Sequence, residues 1–179
     1  MFGTALRYGS IAGLVVISVI MLGIFVSGGG GQGGIFSSVW FGYLVMLVAL
    51  STIFLAIRDH RNKHLGGVIK FLPALGLGVL IALIAGLAYT LAWEAYLYAT
   101  HYTFMDNYAA AMEARARAAG VSGPALEAKL AEIEEMRTAY ANPLMRLPMT
   151  FLEIFPVGLL IAVLSAALLR NPKLLPARA

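Results

Sequence analysis

The sequence predicts an all-α membrane protein with four transmembrane helices and an extramembrane helical hairpin between the third and fourth. Two observations indicate this class. Of the 179 residues, 60% are hydrophobic and only 12% are charged, whereas a soluble domain carries roughly 25% charged residues. The apolar residues also fall into four runs, each close to the ~20 residues that a spanning helix needs. We therefore expect a single membrane domain over residues 1–179.

The first two apolar runs predict two spanning helices, at about residues 6–27 and 35–57. A cleaved signal peptide would have a shorter apolar core of roughly 7–15 residues, so we expect the first run to be a retained helix. Residues 28–34 are glycine-rich and predict a connector. Trp40 and Tyr43 are typical of a membrane interface. A basic connector is expected from Arg58.

The third and fourth runs predict spans at about residues 71–99 and 150–169, and the stretch between them differs in kind. Residues 103–148 alternate apolar and charged positions at helical spacing, with a break at Gly120, which predicts an amphipathic helical hairpin outside the membrane. Aromatic residues cluster near the end of the third run and are expected to form an interfacial belt: Trp93, Tyr96, Tyr98 and Tyr102.

The distribution of basic residues predicts the orientation of the chain. Eight of the thirteen Lys and Arg residues fall at the N-terminus, in the connector after the second span or in the C-terminal tail. Basic residues favour the cytoplasmic side, so both termini should be cytoplasmic and the hairpin periplasmic, in an inner (cytoplasmic) membrane. The basic excess then reflects orientation and contact with the lipid bilayer, and we expect no nucleic-acid partner.

A candidate polar site lies near the outer leaflet. Counted from the predicted boundaries at ~1.5 Å per residue, Glu94 lies about one helical turn outside the hydrocarbon and Glu153 about one turn inside it. His101 follows Glu94 by seven residues, on the same helical face, with Tyr98 between them. Arg146 precedes Glu153 by seven residues and could pair with either glutamate. Whether the two carboxylates meet stays open.

This constellation has a functional and a structural interpretation. It could bind a proton, a cation or a lipid headgroup, because two close carboxylates cannot both ionise freely. It could equally be an ion-pair and hydrogen-bond network that stabilises the bundle at the interface. The chain has no Cys and lacks a recognisable catalytic or metal-binding motif. We therefore expect no catalytic residues, no metal and no cofactor.

Small residues recur every four positions in the third and fourth runs, which predicts two faces for close helix packing in lipid. The predicted packing residues are Gly78, Ala82 and Gly86 in the third run, and Gly158 and Ala162 in the fourth.

Pro156 is expected to kink the fourth helix. At ~100° per residue, Glu153 lies roughly 140° from Gly158 around a regular helix. Glu153 should therefore face another neighbour, unless Pro156 redirects it.

The chain also resembles a bacterial family of small four-helix membrane proteins, known as domain of unknown function 4199. The resemblance rests on Arg7-Tyr-Gly9 with Gly13; Gly42-Tyr43 with Met46; Ile57-Arg-Asp-His-Arg61; Gly66-Gly67 with Phe71; Tyr89 with Trp93-Glu94; Phe104-Met105 with Tyr108; and Glu153-Ile-Phe-Pro-Val-Gly158 with Ser165-Ala166. It implies an inner-membrane protein with an exported helical hairpin, and it carries no activity.

Three functional hypotheses follow. The first is a non-enzymatic accessory or scaffold protein whose hairpin contacts a membrane-protein partner or a second copy. The second is a small transporter, or an ion- or proton-coupled membrane protein, that uses Glu94 and Glu153. The third is an enzyme that acts on lipids at the outer leaflet through Glu94, His101 and Glu153, although no motif fixes its chemistry.

Overall fold

A computed structural model describes residues 1–26 and 39–176 of the chain. The described residues form seven α-helices: α1 Phe2–Val26, α2 Val39–Leu50, α3 Thr52–His64, α4 Phe71–Ala99, α5 Phe104–Ala118, α6 Pro124–Ala141 and α7 Pro143–Leu169. Four helical segments are long and apolar enough to cross a membrane: Phe2–Phe25, Trp40–His64, Phe71–Ala99 and Pro143–Leu169. The predicted all-helical class with four apolar spans is thus confirmed.

The glycine-rich connector predicted at residues 28–34 lies outside the described residues, as do the neighbouring ends of the first two predicted spans. Within the described part, α1 begins at Phe2, four residues before the apolar run that predicted it.

The second span is longer than its apolar run and consists of α2 and α3 in succession. Ser51 separates the two helices, and its hydroxyl donates to the carbonyl oxygen of Val48 at 2.6 Å. Such local bonds compete with the helical hydrogen-bond ladder. The helix then continues past Ile57 to His64, through residues expected to form a connector.

Arg61 explains why a charged segment stays helical. Its side chain is fully buried, and its Nη1 donates to the carbonyl oxygens of Leu169 and Leu174 at 3.3 and 3.0 Å. A further bond joins Nη2 to the carbonyl oxygen of Leu175. The last carbonyls of a helix have no intrahelical partner, and a cation there is favourable. Arg61 therefore caps the end of α7 and holds α3 against it.

Helix α4 coincides with the predicted third span and ends at Ala99. His101 and Tyr102 have φ values of 52° and 57°, so the chain leaves the helix through a left-handed turn. The N–H of Tyr102 donates to the carbonyl oxygen of Leu97 at 2.7 Å, which is a common way to close a helix end. The prediction that His101 lies on the helical face of Glu94 is therefore wrong. The chain must reverse here to begin α5.

Helices α5 and α6 form the hairpin between the third and fourth spans, and they pack against each other. Gly120, with φ +80°, lies in the turn between them. Helix α7 begins at Pro143, earlier than the predicted fourth span, because Asn142 caps it by accepting from the N–H of Leu144 at 3.0 Å. It continues as one helix through Pro148 and Pro156, so Pro156 does not end it.

The four spans form a bundle in which α4 packs most extensively on α1 and α7, while α2 and α3 lie against α1 and α7. A Cβ placed on Gly78 would lie 2.7 Å from the Cβ of Ala162, and one on Gly158 would lie 2.8 Å from the Cβ of Ala82. The two small-residue series thus face each other across α4 and α7. A Cβ on Gly86 would meet the ring of Phe151 at 2.6 Å instead.

Large apolar side chains also cover the outside of the bundle. Leu14 on α1, Leu91 on α4 and Leu160 on α7 are all exposed. Extended apolar surfaces of this kind are rare on soluble monomers, which indicates contact with a lipid bilayer. The chain crosses the bundle four times. The end where α1 and α4 begin is called the N-terminal end, and the opposite end, beside α5 and α6, the hairpin end.

Candidate functional site

Arg146 is the central residue of the hairpin end. It lies in the first turn of α7 and is only 3% exposed. Its Nε donates to Oε1 of Glu94 at 2.6 Å and its Nη2 to Oε2 at 3.0 Å. This two-pronged geometry is the strong form of an arginine–carboxylate pair. The side chain of Glu94 is 22% exposed, so the pair lies at the edge of the protein interior.

The remaining contacts of Arg146 join it to the hairpin. Its Nη1 donates to the carbonyl oxygens of Tyr140 and Ala141 at 3.0 and 3.4 Å. Its guanidinium carbon lies 5.0 Å from the ring centre of Tyr102 and 5.8 Å from that of Tyr140, within cation–π range. One buried side chain therefore connects α4, the turn after it, the end of α6 and the start of α7.

Trp93 and Tyr140 extend this network. The indole Nε1 of Trp93 donates to the hydroxyl of Tyr140 at 2.6 Å, and Trp93 is only 6% exposed. Burial raises the pKa of the Tyr140 hydroxyl above its ordinary value, so this group stays protonated at neutral pH. Trp93 thus lies in the protein interior, where its N–H needs a partner, and does not belong to an outward-facing aromatic belt.

A cavity of about 380 Å³ opens beside Arg146. His101, Tyr102 and Met105 from the turn and α5 form one side of it, and residues from the ends of α6 and α7 form the other. Asp106 and Arg137 also line it, and they pair with each other at 2.8 Å. The cationic groups of this cavity are therefore already engaged with carboxylates or carbonyl oxygens.

Glu153 has a different environment from Glu94. Its Oε2 accepts a hydrogen bond from the hydroxyl of Tyr89 at 3.1 Å. The glutamate is exposed on the bundle surface, and with Gly42, Tyr43 and Met46 of α2 it lines a groove of about 200 Å³. Glu153 thus lies where α2, α4 and α7 adjoin. Gly158, five residues further along α7, also faces Ala82 of α4 and approaches Leu50 of α2, so both residues face the same two helices, although Glu153 was expected to face another neighbour.

The structure brings only part of the predicted constellation together. Glu94 bonds Arg146, whereas Glu153 bonds Tyr89. Tyr89 precedes Glu94 by five residues, so the two interactions are separated by roughly 7–8 Å along α4. His101 lines the cavity beside Arg146. Tyr98 is 75% exposed and does not line that cavity.

Sequence reasoning missed four aromatic contributions: the hydroxyl of Tyr89, the indole of Trp93, and the rings of Tyr102 and Tyr140. Tyr140 belongs to the stretch predicted only as an amphipathic helical hairpin, and a tyrosine on the apolar face of such a helix carries a hydroxyl that needs a partner when buried. That need could have singled it out. Its partner, Trp93, is 47 positions away in the chain, which no local pattern indicates.

Metal binding gains no support from the part of the chain that is described. Within residues 1–26 and 39–176, no group of three or more His, Cys, Asp or Glu side chains is arranged to hold a metal ion.

Comparisons with known proteins identify the family. No curated protein and no solved structure matches the chain. The model of one family, described as "Protein of unknown function (DUF4199)", matches residues 7–171, which is most of the chain. The protein therefore belongs to the DUF4199 family.

Proposed function

We propose that the protein is a non-enzymatic accessory protein of a bacterial inner membrane, which holds the α5–α6 hairpin at the periplasmic surface for another membrane protein to bind. The observation that carries this proposal is the engagement of Arg146. Arg146 donates four hydrogen bonds, two to the carboxylate of Glu94 and one each to the carbonyl oxygens of Tyr140 and Ala141. A guanidinium has five N–H donors, so little capacity remains for a substrate.

A fixed hairpin favours docking. Ordering a surface before it binds lowers the entropic cost of association. Arg146 ties the end of the hairpin to α4 and α7, and Arg137 of α6 pairs with Asp106 of α5 across the hairpin. These contacts support a surface that is ordered before any partner arrives.

The composition of α5 and α6 supports their position outside the bilayer. They carry acidic and basic side chains on exposed faces and are not among the four candidate spans. Because the basic excess lies at the N-terminal end, the positive-inside tendency puts that end, with both termini, in the cytoplasm. The hairpin would then be periplasmic.

The exposed glutamates of α6 suggest the chemistry of the partner. Glu127 and Glu135 lie on exposed positions, and complementary charge steers association and excludes wrong partners. We expect a membrane protein with a basic patch above the bilayer; a second copy of this chain is the alternative outcome of the test.

Photo-cross-linking in native membranes tests the proposal. A photoreactive residue at Ala131, which is exposed on α6, should give one discrete adduct, whereas one at Lys173 in the C-terminal tail should not give that adduct. Charge reversal by Glu127→Lys and Glu135→Lys should remove the adduct, and Lys173→Glu should leave it intact. Deletion of residues 106–140 also removes the probe position, so this variant is assayed by co-purification from native membranes; survival of the same complex would contradict the proposal.

A second candidate function rests on Glu153. A carboxylate inside a membrane span is costly and commonly functional. Glu153 faces a groove, and from the residues that the structure describes it accepts a hydrogen bond from Tyr89. This arrangement favours ion- or proton-coupled transport through the groove between α2 and α7.

Flux measurements in proteoliposomes separate the two candidates. Glu153→Gln should abolish ion or proton flux, and Tyr89→Phe should reduce it, because the tyrosine orients the carboxylate. Full flux or full function in cells for both Glu153→Gln and Glu94→Gln would eliminate the transport hypothesis and leave the accessory role standing.

A further inference from the structure

A second polar cavity lies at the N-terminal end, far from the Arg146 network. Its volume is about 250 Å³, several times the ~30 Å³ that a water molecule takes up in the liquid, so a phosphate group fits. The first turns of α1 and the last turns of α3 form its walls. Its lining residues are Gly3, Thr4, Arg7, Tyr8, Asp59, His60, Lys63 and His64.

The lining of this cavity presents hydrogen-bond donors. Asp59 is its only acidic residue, and that carboxylate already accepts from Lys63 Nζ at 2.6 Å and from the Tyr8 hydroxyl at 3.1 Å. The ammonium of Lys63 has three N–H bonds, so it can serve a second acceptor. Arg7 is exposed and lines the same cavity without an acidic partner among the described residues.

His60 provides an independent observation that points to a ligand. The residue is only 7% exposed and lines the cavity, and its Nδ1 is buried without a hydrogen-bond partner among the described residues. Its ring centre lies 5.1 Å from that of His64. Buried polar atoms are nearly always paired, so the unpartnered Nδ1 of His60, in its N–H form, has a donor left for an acceptor bound in the cavity.

We propose that this cavity is a binding site for the phosphate of an anionic ligand, either an anionic phospholipid headgroup or a small soluble phosphate ester. Arg7 and Lys63 supply charge-assisted hydrogen bonds, which phosphate oxygens accept strongly. The candidate span of α1 begins at Phe2 and that of α3 ends at His64. In a bilayer the cavity therefore lies at headgroup depth, where phospholipid phosphates are concentrated.

Binding by the full-length protein in a neutral detergent tests the site. The probes are phosphatidic acid and phosphatidylglycerol as anionic lipids, phosphatidylcholine as a zwitterionic control, and glycerol 3-phosphate as a soluble phosphate ester. Affinities come from native mass spectrometry for the lipids and from shifts in the thermal unfolding midpoint for glycerol 3-phosphate, since a ligand of the folded state stabilises it. We expect the anionic probes to bind more tightly than phosphatidylcholine.

Two pairs of variants make the test specific. Arg7→Gln should weaken binding about tenfold, the effect of losing one charge-assisted bond, whereas Lys173→Gln, at an exposed position in the C-terminal tail, should not. Gly3→Asp introduces a negative charge at the cavity, where an added Cβ would meet nothing within 4 Å. It should weaken binding at least as much as Arg7→Gln, and the uncharged Gly3→Asn should have little effect.

The outcomes are distinct. Tight binding of phosphatidic acid or phosphatidylglycerol with this variant pattern supports a lipid site, and the same pattern with glycerol 3-phosphate supports a soluble ligand. Equal losses for Arg7→Gln and Lys173→Gln would show diffuse surface attraction and overturn the proposal. Absence of binding by every probe would overturn it as well. None of these outcomes depends on the partner proposed for the hairpin.

Discussion

Breaking the contact between Glu94 and Arg146 should destabilise the protein more than any change to an exposed ion pair. Arg146→Gln removes two bonds to the carboxylate and two to backbone carbonyl oxygens. Disrupting a buried pair costs about 3–5 kcal/mol, because one charge is left without a partner. Water reaches the 22% exposed side chain of Glu94, so we expect the lower end, about 3 kcal/mol.

A double-mutant cycle measures the interaction itself. Glu94→Gln keeps an oxygen acceptor for Arg146 but loses the charge, so we expect a smaller cost of about 1–2 kcal/mol. The double variant should lose less than the sum of the two single variants, with a coupling of about 1–2 kcal/mol. The free energy of unfolding would be measured in mixed micelles by titration with a denaturing detergent.

The pair between Asp106 and Arg137 provides the matched control. It has a similar distance, 2.8 Å, but both side chains are about half exposed, and exposed pairs contribute little. If Arg146→Gln destabilised the protein no more than Arg137→Gln does, the claim that Arg146 fixes the hairpin to the spans would be refuted. Tryptic cleavage within the hairpin, at Lys129, should also accelerate in Arg146→Gln and not in Arg137→Gln.

Three further predictions address packing, the N-terminal end and orientation. Gly158→Ala should cost about 1–3 kcal/mol of unfolding free energy by overpacking, whereas Gly76→Ala, with no atom within 4 Å of the added Cβ, should stabilise the helix by up to ~1 kcal/mol. Arg61→Gln should cost about 2–3 kcal/mol, because the carbonyl oxygens of Leu169, at the end of α7, and of Leu174, in the tail, lose a charged donor; an unchanged unfolding curve would contradict this cap. Because the chain has no Cys, single variants Glu127→Cys and Lys173→Cys can be labelled cleanly. An impermeant maleimide should reach the two cysteines from opposite sides of the membrane. Labelling of both variants from the same side would refute the predicted orientation.

The helical packing faces were predictable because they depend on local spacing. A small residue at every fourth position lies on one side of any regular helix, and close approach in lipid needs such residues. The spacing around Gly78 and Gly158 therefore predicts close helix contacts at these two residues. Their partners, Ala162 and Ala82, belonged to the same two series.

The polar site was predictable only in part, because charges choose partners across helices. The spacing allowed Arg146 to pair with either glutamate, and the fold gives it Glu94. The expected helical continuation to His101 failed because the chain reverses after Ala99, through a left-handed turn at His101. Such a reversal depends on where α5 packs. The residue spacing within α4 carries no information about that position.

The sequence by itself determined the class of protein, since four long apolar runs with few charges are stable as helices in lipid and satisfy their own backbone hydrogen bonds there. Only the tertiary structure determined which groups the charged side chains at the two ends of the bundle pair with. Arg61 remains in a helix because carbonyl oxygens more than a hundred positions away accept its donors. Arg146 joins the hairpin to the bundle because the carboxylate of Glu94, 52 positions away, and the carbonyl oxygens at the end of α6 accept its donors. Apolar burial follows from composition and period, whereas a buried charge needs a specific partner whose position the whole fold sets.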